Sequence, residues 1–356
     1  MRVVATGATG NVGTSVVEAL AADDAVTEIV GVARRRPDWQ PPKTEWVQAD
    51  VARDALAPVF ADADAVVHLA WIFQPTHQPE LTWDNNVLGS LRVFDAVASA
   101  EVPALVHASS IGAYSPATSE DPVDETWPTH ALPTAGYGRE KSYVERLLDS
   151  FEQWHPETRV VRMRPGFIFK RSAATGQRRL FAGPFLPNAL VRPELLPVIP
   201  DLPGQRFQAL HSRDAADAYR RAVLGDIRGP VNIAADPIVD ARSLGKLLRA
   251  RPVRMPKAAA RAALDVLWRL RLVPAEPALL DLFLSLPVMD TTRARDELGW
   301  TPTVSSLDAL QEVIDGMRAG AGGDTPPLDP ATSGPLRREE LRTGVGGTGG
   351  VTDDGR

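Results

Sequence analysis

The chain has 356 residues, 44% of them hydrophobic, and a net charge of −6 from 39 basic and 45 acidic residues. Such a chain can bury a full core as one large domain or two interlocked ones, and its overall charge gives no electrostatic case for nucleic acid or an anionic membrane. The absence of cysteine excludes disulfides, thiolate catalysis and cysteine-bound metals, and histidines 68, 77, 107, 130, 155 and 211 lack metal-ligand spacing, so no metal is expected.

In chain order, residues 3–5 read as a short strand, "TGATGNVG" (6–13) as a glycine-rich turn, and residues 11–22 as a helix. Strands follow at 28–32, 45–48, 65–69, 104–108 and 160–164, with helical patterns at 54–61, 86–100 and 137–154 between them. Strands alternating with helices predict an α/β fold, a Rossmann-type doubly wound parallel sheet. Beyond Arg164 the pattern loosens to about residue 206, then gives a helix at 212–224, a strand at 231–234 and a mostly helical stretch closing at 317. The expected organisation is a nucleotide-binding domain at 1–166, rejoined by about 207–236, and a smaller, mostly helical C-terminal substrate lobe from 167–206 and 237–318. Residues 319–356, rich in Gly, Pro, Thr and charge, read as a disordered tail.

The chain shows no charged leader with a long apolar core, and residues 278–289, its most apolar later stretch, are broken by Asp281, Ser285 and Pro287. The expectation is therefore a cytoplasmic protein without a membrane span, with residues 278–289 as core or pocket wall. The amphipathic stretch 257–271, "KAAARAALDVLWRLR", is expected to pack on a neighbouring helix; attachment to a membrane surface is the alternative.

A turn between a first strand and a first helix is where glycines serve a dinucleotide. Gly7 permits the tight turn, Gly10 lets the backbone approach a pyrophosphate, and Gly13 lets the helix pack closely on the sheet. Asp50, ending the third strand, is placed to accept a hydrogen bond from an adenine amino group. Tyr137 and Lys141 are four residues apart on one helix face. A phenol with a pKa near ~10 is a poor base at neutral pH, and a nearby ammonium favours its ionised form.

The series "TGATGNVG", "ADV" ending at Val51, "HLAW" at 68–71, "NVLGS" from Asn86, "HASSIGAY" at 107–114, "YGREK" at 137–141, "RPG" at 164–166 and "LGWTP" at 298–302 resembles the extended short-chain dehydrogenase/reductases, the NAD-dependent epimerase/dehydratase family, over roughly residues 1–318. The resemblance implies hydride transfer between a nicotinamide and a secondary alcohol or ketone, with Tyr137 as general acid/base. Lys141 lowers the tyrosine pKa, and Ser110, rather than its neighbour Ser109, orients the reacting oxygen. Asn86 corresponds to the family asparagine that shapes its helix and supports a proton relay. Cofactor contacts would extend to Thr9, Asn11, Val12, Val51, Leu69 and Ala70 besides Tyr137 and Lys141, and the helices carrying Asn86 and Tyr137 would form a homodimer.

Ala33 stands where an NAD-selecting carboxylate is usual and Arg34 follows, which favours NADP over NAD. Sugar-nucleotide relatives carry an asparagine three residues after the strand-six arginine, where this chain has Phe167, and Gly-Pro where it has Lys170-Arg171. That departure, with Trp71, Phe73, Trp83 and Phe169 on the pocket side, points to a less polar or aromatic small-molecule substrate. Arg178, Arg179 and Arg192 are the alternative, as binders of an anionic group. Two rival functions remain: a sugar-nucleotide epimerase or dehydratase that retains NAD, and a non-catalytic NAD(P)-binding regulator.

Overall fold

The computed structural model describes residues 1–73, 77–182 and 197–330. Strands β1 (Arg2–Thr6), β2 (Glu28–Ala33), β3 (Thr44–Gln48), β4 (Ala65–His68), β5 (Ala104–Ala108) and β6 (Arg159–Pro165) join a seventh, Gly229–Ile233, in one parallel sheet. From one edge the order is Gly229–Ile233, β6, β5, β4, β1, β2, β3. The direction of winding reverses between β1 and β4, which opens a crevice at their carboxyl ends.

Alternation along each strand builds two cores. Val3 and Ala5 face helices Asn11–Ala21 and Ser212–Leu224, whereas Val4 faces helices Gly89–Ser99 and Gly136–Trp154. Burial on both faces explains why the strands read as near-continuous apolar runs. The C-terminal part is mainly helical, with Ala241–Leu248, Lys257–Arg269, Pro277–Phe283, Thr292–Asp296 and Ser306–Ala319. It is tied to the sheet by "LGWTP": Gly299 turns the chain at φ +62, and buried Trp300 donates from Nε1 to the Asp214 carbonyl at 2.9 Å. Leu282, Leu286 and Met289 form a core with Ile111 and Tyr114, as expected for residues 278–289.

Three segments depart from the sequence reading. The helix expected over 54–61 shrinks to Ala57–Phe60, because the Asp54 carboxylate accepts from Asp50 N at 2.7 Å and holds the chain in a turn. The helix expected at 86–100 begins earlier, at Pro79–Trp83, and passes through a π-helical turn, Asp84–Leu88, before Gly89–Ser99.

The third departure is the tail. Residues 320–330 are not a disordered extension: the chain turns at Gly320 (φ +63) and folds back across the molecule. Thr175 Oγ1 donates to the Ala321 carbonyl at 2.6 Å, Thr325 Oγ1 to the Thr9 carbonyl at 2.7 Å, and Arg179 to the carbonyls of Asp329 and Pro330. Side chains capturing backbone carbonyls hold this strap, so its low apolar content misled the compositional reading. Residues 331–356 of the expected tail, and Arg192, lie outside the described residues.

Candidate active site

The glycine loop occupies the crevice. Gly7 takes φ +69, and a Cβ there would lie 2.6 Å from Ala70 N, so the loop touches the segment that leaves β4. A Cβ on Gly13 would lie 2.2 Å from the Gly7 carbonyl, so helix and loop pack backbone to backbone. A Cβ on Gly10 would meet only that carbonyl, at 3.4 Å, which leaves space on the cleft side. No side chain caps helix Asn11–Ala21, leaving its first N–H groups for a phosphate. This open cradle fits the pyrophosphate of a dinucleotide.

The cleft beside the loop, about 200 Å³, is lined by Gly7, Thr9, Gly10, Arg34, Asp50, Val51, Leu69 and Ala70, eight of the residues expected to hold the cofactor. Asn11, Val12, Gly13, Tyr137 and Lys141 do not line it. Asn11 donates to the Ile168 carbonyl at 3.0 Å, Val12 packs into the core, and Gly13 serves the close packing already described. Trp71, Pro326 and Pro327 also line the cleft and were not expected to. The prolines belong to the strap, and no signal in the tail's composition betrays them.

Tyr137 begins helix Gly136–Trp154, with Lys141 one turn on. Gly112 makes room for the phenol: a Cβ there would lie 2.7 Å from Tyr137 Cε1. The glycine two residues after Ser110 in "SSIGAY" was the available signal. The Ser110 hydroxyl accepts from Gly112 N at 3.0 Å, and a Cβ on Gly112 would meet both Tyr137 Cε1 and Ser110 Oγ, so serine and phenol flank the same glycine. Burial pushes the Tyr137 phenol up to about 12; the neighbouring Ser110 hydroxyl acts against this and Glu140 adds to it. Burial brings the Lys141 ammonium down to about 7, against the pull of Glu140 and Glu145. Lys141 Nζ donates to the Ala108 carbonyl at 2.7 Å and stands 3.3 Å from the centroid of the Trp71 ring.

The two serines separate cleanly. Ser109 Oγ donates to buried Glu145 at 2.5 Å, in a network where Glu145 receives Arg164 Nη2 at 2.9 Å and Arg162 Nη1 at 3.0 Å. Burial would raise the Glu145 pKa, yet the Arg164 hydrogen bond and charge, Arg162 and Ser109 hold it at about 2. Ser110 is thus the serine that faces Tyr137. Asn86 is bonded on three sides. It donates to the Ile72 carbonyl and Glu140 Oε2, each at 2.7 Å, and accepts from Ile72 N at 2.7 Å. Its bonds pin the 69–73 segment to the catalytic helix and do not touch Lys141, which makes it a positioning residue. Glu125 accepts from Asn232 N at 2.8 Å, a bond from the loop to the sheet edge.

Aromatic rings wall the far side. Phe73 and Trp71 approach Tyr137 with centroids 5.0 and 6.0 Å away. Phe167 packs against Phe207 and Phe283 at 5.3 and 5.7 Å, and Phe169 joins the same cluster. Trp83 instead lies at the surface against Tyr143. Arg178 is buried and Arg179 holds the strap, so neither faces this pocket as an anion binder.

A parallel sheet with a glycine loop at its switch point and a Ser, Tyr and Lys set beside it is the arrangement of the short-chain dehydrogenase/reductase class. The profile of the NAD dependent epimerase/dehydratase family matches residues 3–234, and the chain belongs to that family. An uncharacterised Mycobacterium tuberculosis protein, Rv2047c, is 27% identical over 326 residues, 90% of this chain, which spans only 31% of that relative's length. L-arabinose 1-dehydrogenase (NAD(P)(+)) of Haloferax volcanii is 39% identical over 114 residues, 31% of this chain and 41% of the enzyme. The fold is shared with UDP-glucuronic acid 4-epimerase from Bacillus cereus, solved with NAD, at a TM-score of 0.67 and 17% identity, covering 90% of this chain and 99% of that one. Among the described residues no helix is long and apolar enough to cross a membrane, and no group of His, Asp or Glu is placed to hold a metal.

Proposed function

We propose that the chain catalyses hydride transfer between a nicotinamide cofactor and a secondary alcohol or ketone of low polarity. The observation that carries this is that Ser110 and Tyr137 flank Gly112, with the Phe73 and Trp71 rings beside the phenol and Trp71 also lining the glycine-loop cleft. The cofactor lies along Gly7, Thr9, Gly10, Asp50, Val51, Leu69 and Ala70; when bound, it supplies or accepts the hydride. Ser110 orients the substrate oxygen, and Tyr137 moves the proton to or from it. Lys141 sets the charge beside the phenol. The substrate sits between the carboxyl ends of the strands and the helical lobe formed by residues 167–206 and 237–318.

NADP is the preferred cofactor in this reading. Arg34 and Arg35 line the cleft beyond Ala33; burial lowers the Arg35 pKa, and repulsion by Arg34 lowers it further, so an added phosphate would relieve that repulsion. A homodimer forms through the helices carrying Asn86 and Tyr137, whose surfaces expose Trp83, Leu88, Leu91 and Tyr143. The cytoplasm is the expected compartment.

A second reading, a sugar-nucleotide epimerase or dehydratase that retains NAD, draws on the shared fold of the Bacillus cereus enzyme. Against it, the side chains beside Tyr137 are the rings of Phe73 and Trp71, where a sugar would need hydrogen-bonding groups. Mass spectrometry of nucleotide released on denaturing the purified protein separates the two. Stoichiometric NAD supports the epimerase or dehydratase; an empty protein that binds NADPH reversibly, and more weakly as Arg34→Ala, supports the reductase. A protein that holds and binds neither overturns both.

A further inference from the structure

The helix Lys257–Arg269 is built inside out. With 100° between successive residues, Lys257, Arg261, Leu264, Asp265 and Trp268 share one face and Ala259, Ala263, Val266, Leu267 and Leu270 the opposite one. The face bearing the charges points toward the protein. Lys257 and Arg261 both bind Asp281 of the neighbouring helix, at 3.1 and 2.8 Å, and Trp268 stacks on His77 with centroids 4.1 Å apart. The apolar face points outward: none of the helix's 13 residues is buried, and Val266 and Leu270 are 56% and 63% exposed. Packing on a neighbour, expected from the sequence, therefore accounts for only the polar side.

The exposed apolar surface continues through Val253, Met255 and Leu272. Residues 242–271 also carry nine Lys or Arg, every one exposed, against the single acid Asp265. In a chain of net charge −6 this is a concentrated basic patch that the overall charge conceals. An outward apolar helix face ringed by cations matches the surface of an anionic bilayer, where apolar side chains enter the acyl boundary and Lys or Arg meet lipid phosphates. A second copy of the chain would set the same cations against themselves. On its protein side the helix meets His77 through the Trp268 stack.

We infer that residues 251–272 dock this protein peripherally on an anionic lipid bilayer. The assignment is independent of the reaction proposed above. The test is cosedimentation of the full-length protein with phosphatidylcholine vesicles lacking or containing phosphatidylglycerol. Binding is expected only with phosphatidylglycerol, weakening as salt rises. Val266→Ser with Leu270→Ser should weaken it by about tenfold or more, and Arg251→Glu with Arg254→Glu should abolish it, with circular dichroism and nucleotide binding unchanged in both. Wild-type protein that stays in the supernatant at low salt overturns the inference. So does retention by both variants, or a lipid-free oligomer that the Val266 and Leu270 changes dissociate, which would give the face to a second copy.

Discussion

Lys141 Nζ lies 3.3 Å from the centre of the Trp71 ring, so a buried ammonium rests on the ring of a residue that lines the glycine-loop cleft. A cation–π contact of this kind offsets part of the cost of burying the charge. The remaining cost shows in the Lys141 pKa, brought down to about 7. Between that value and the ordinary lysine range the unfolded chain binds more protons than the folded one, so the burial penalty declines as pH rises. Lys141→Met removes the titration. The wild type should therefore gain stability relative to the variant from about pH 7 to pH 10, measured by urea denaturation. A pH-independent difference would count against the lowered pKa.

Ser109 and Ser110 should fail differently. Ser109→Ala deprives buried Glu145 of a donor and should cost about 1–3 kcal/mol of stability with turnover largely kept. Ser110→Ala, which takes the acceptor from Gly112 N, should cost about 1 kcal/mol of stability but lower kcat by about 10–100-fold, the equivalent of one lost hydrogen bond to the reacting oxygen. Equal loss of turnover in both variants would show that neighbouring serines share the role.

Glu145 gives a prediction at acid pH. Its folded pKa of about 2 lies below the ordinary glutamate value, so its contribution is present above about pH 4.5 and fades as pH falls toward 2. Glu145→Gln leaves Arg162 and Arg164 without their shared carboxylate and should cost about 3–5 kcal/mol near pH 7. The gap from wild type should narrow on acidification, as read by denaturant titrations at several pH values.

The strap bears on cofactor exchange. Thr325 fastens it to the carbonyl of Thr9, and Pro326 and Pro327 form part of the cleft wall. Deleting residues 322–356 should speed both binding and release of NADPH, followed by stopped-flow fluorescence, while Thr325→Ala should give an intermediate effect. Unchanged rates would leave the strap with a purely structural part.

The sheet was legible because its strands are buried on both faces and its glycines sit at a strand-to-helix turn. Gly7, Gly10, Tyr137 and Lys141 occupy the places their spacing implied. What spacing could not convey was where side-chain bonds are spent. Asn86 is saturated by Ile72 and Glu140, and Ser109 by Glu145, contacts that cross the chain at long range. The strap was hidden for a related reason: its order comes from Thr175, Arg179 and Thr325 bonding to backbone carbonyls, which leaves no apolar pattern. The outward apolar face of Lys257–Arg269 was equally hidden, since amphipathicity alone does not say which side meets the protein.

The most direct measurement is deuterium transfer from NADPH labelled at the nicotinamide C4 into a panel of apolar ketones, with wild type and Tyr137→Phe compared by mass spectrometry. The account predicts labelled secondary alcohol from the wild type and about 10²–10⁴-fold slower labelling by the variant, with NADPH affinity retained. Labelling at the same rate by Tyr137→Phe would contradict it, because the proton would then reach the substrate oxygen without the tyrosine.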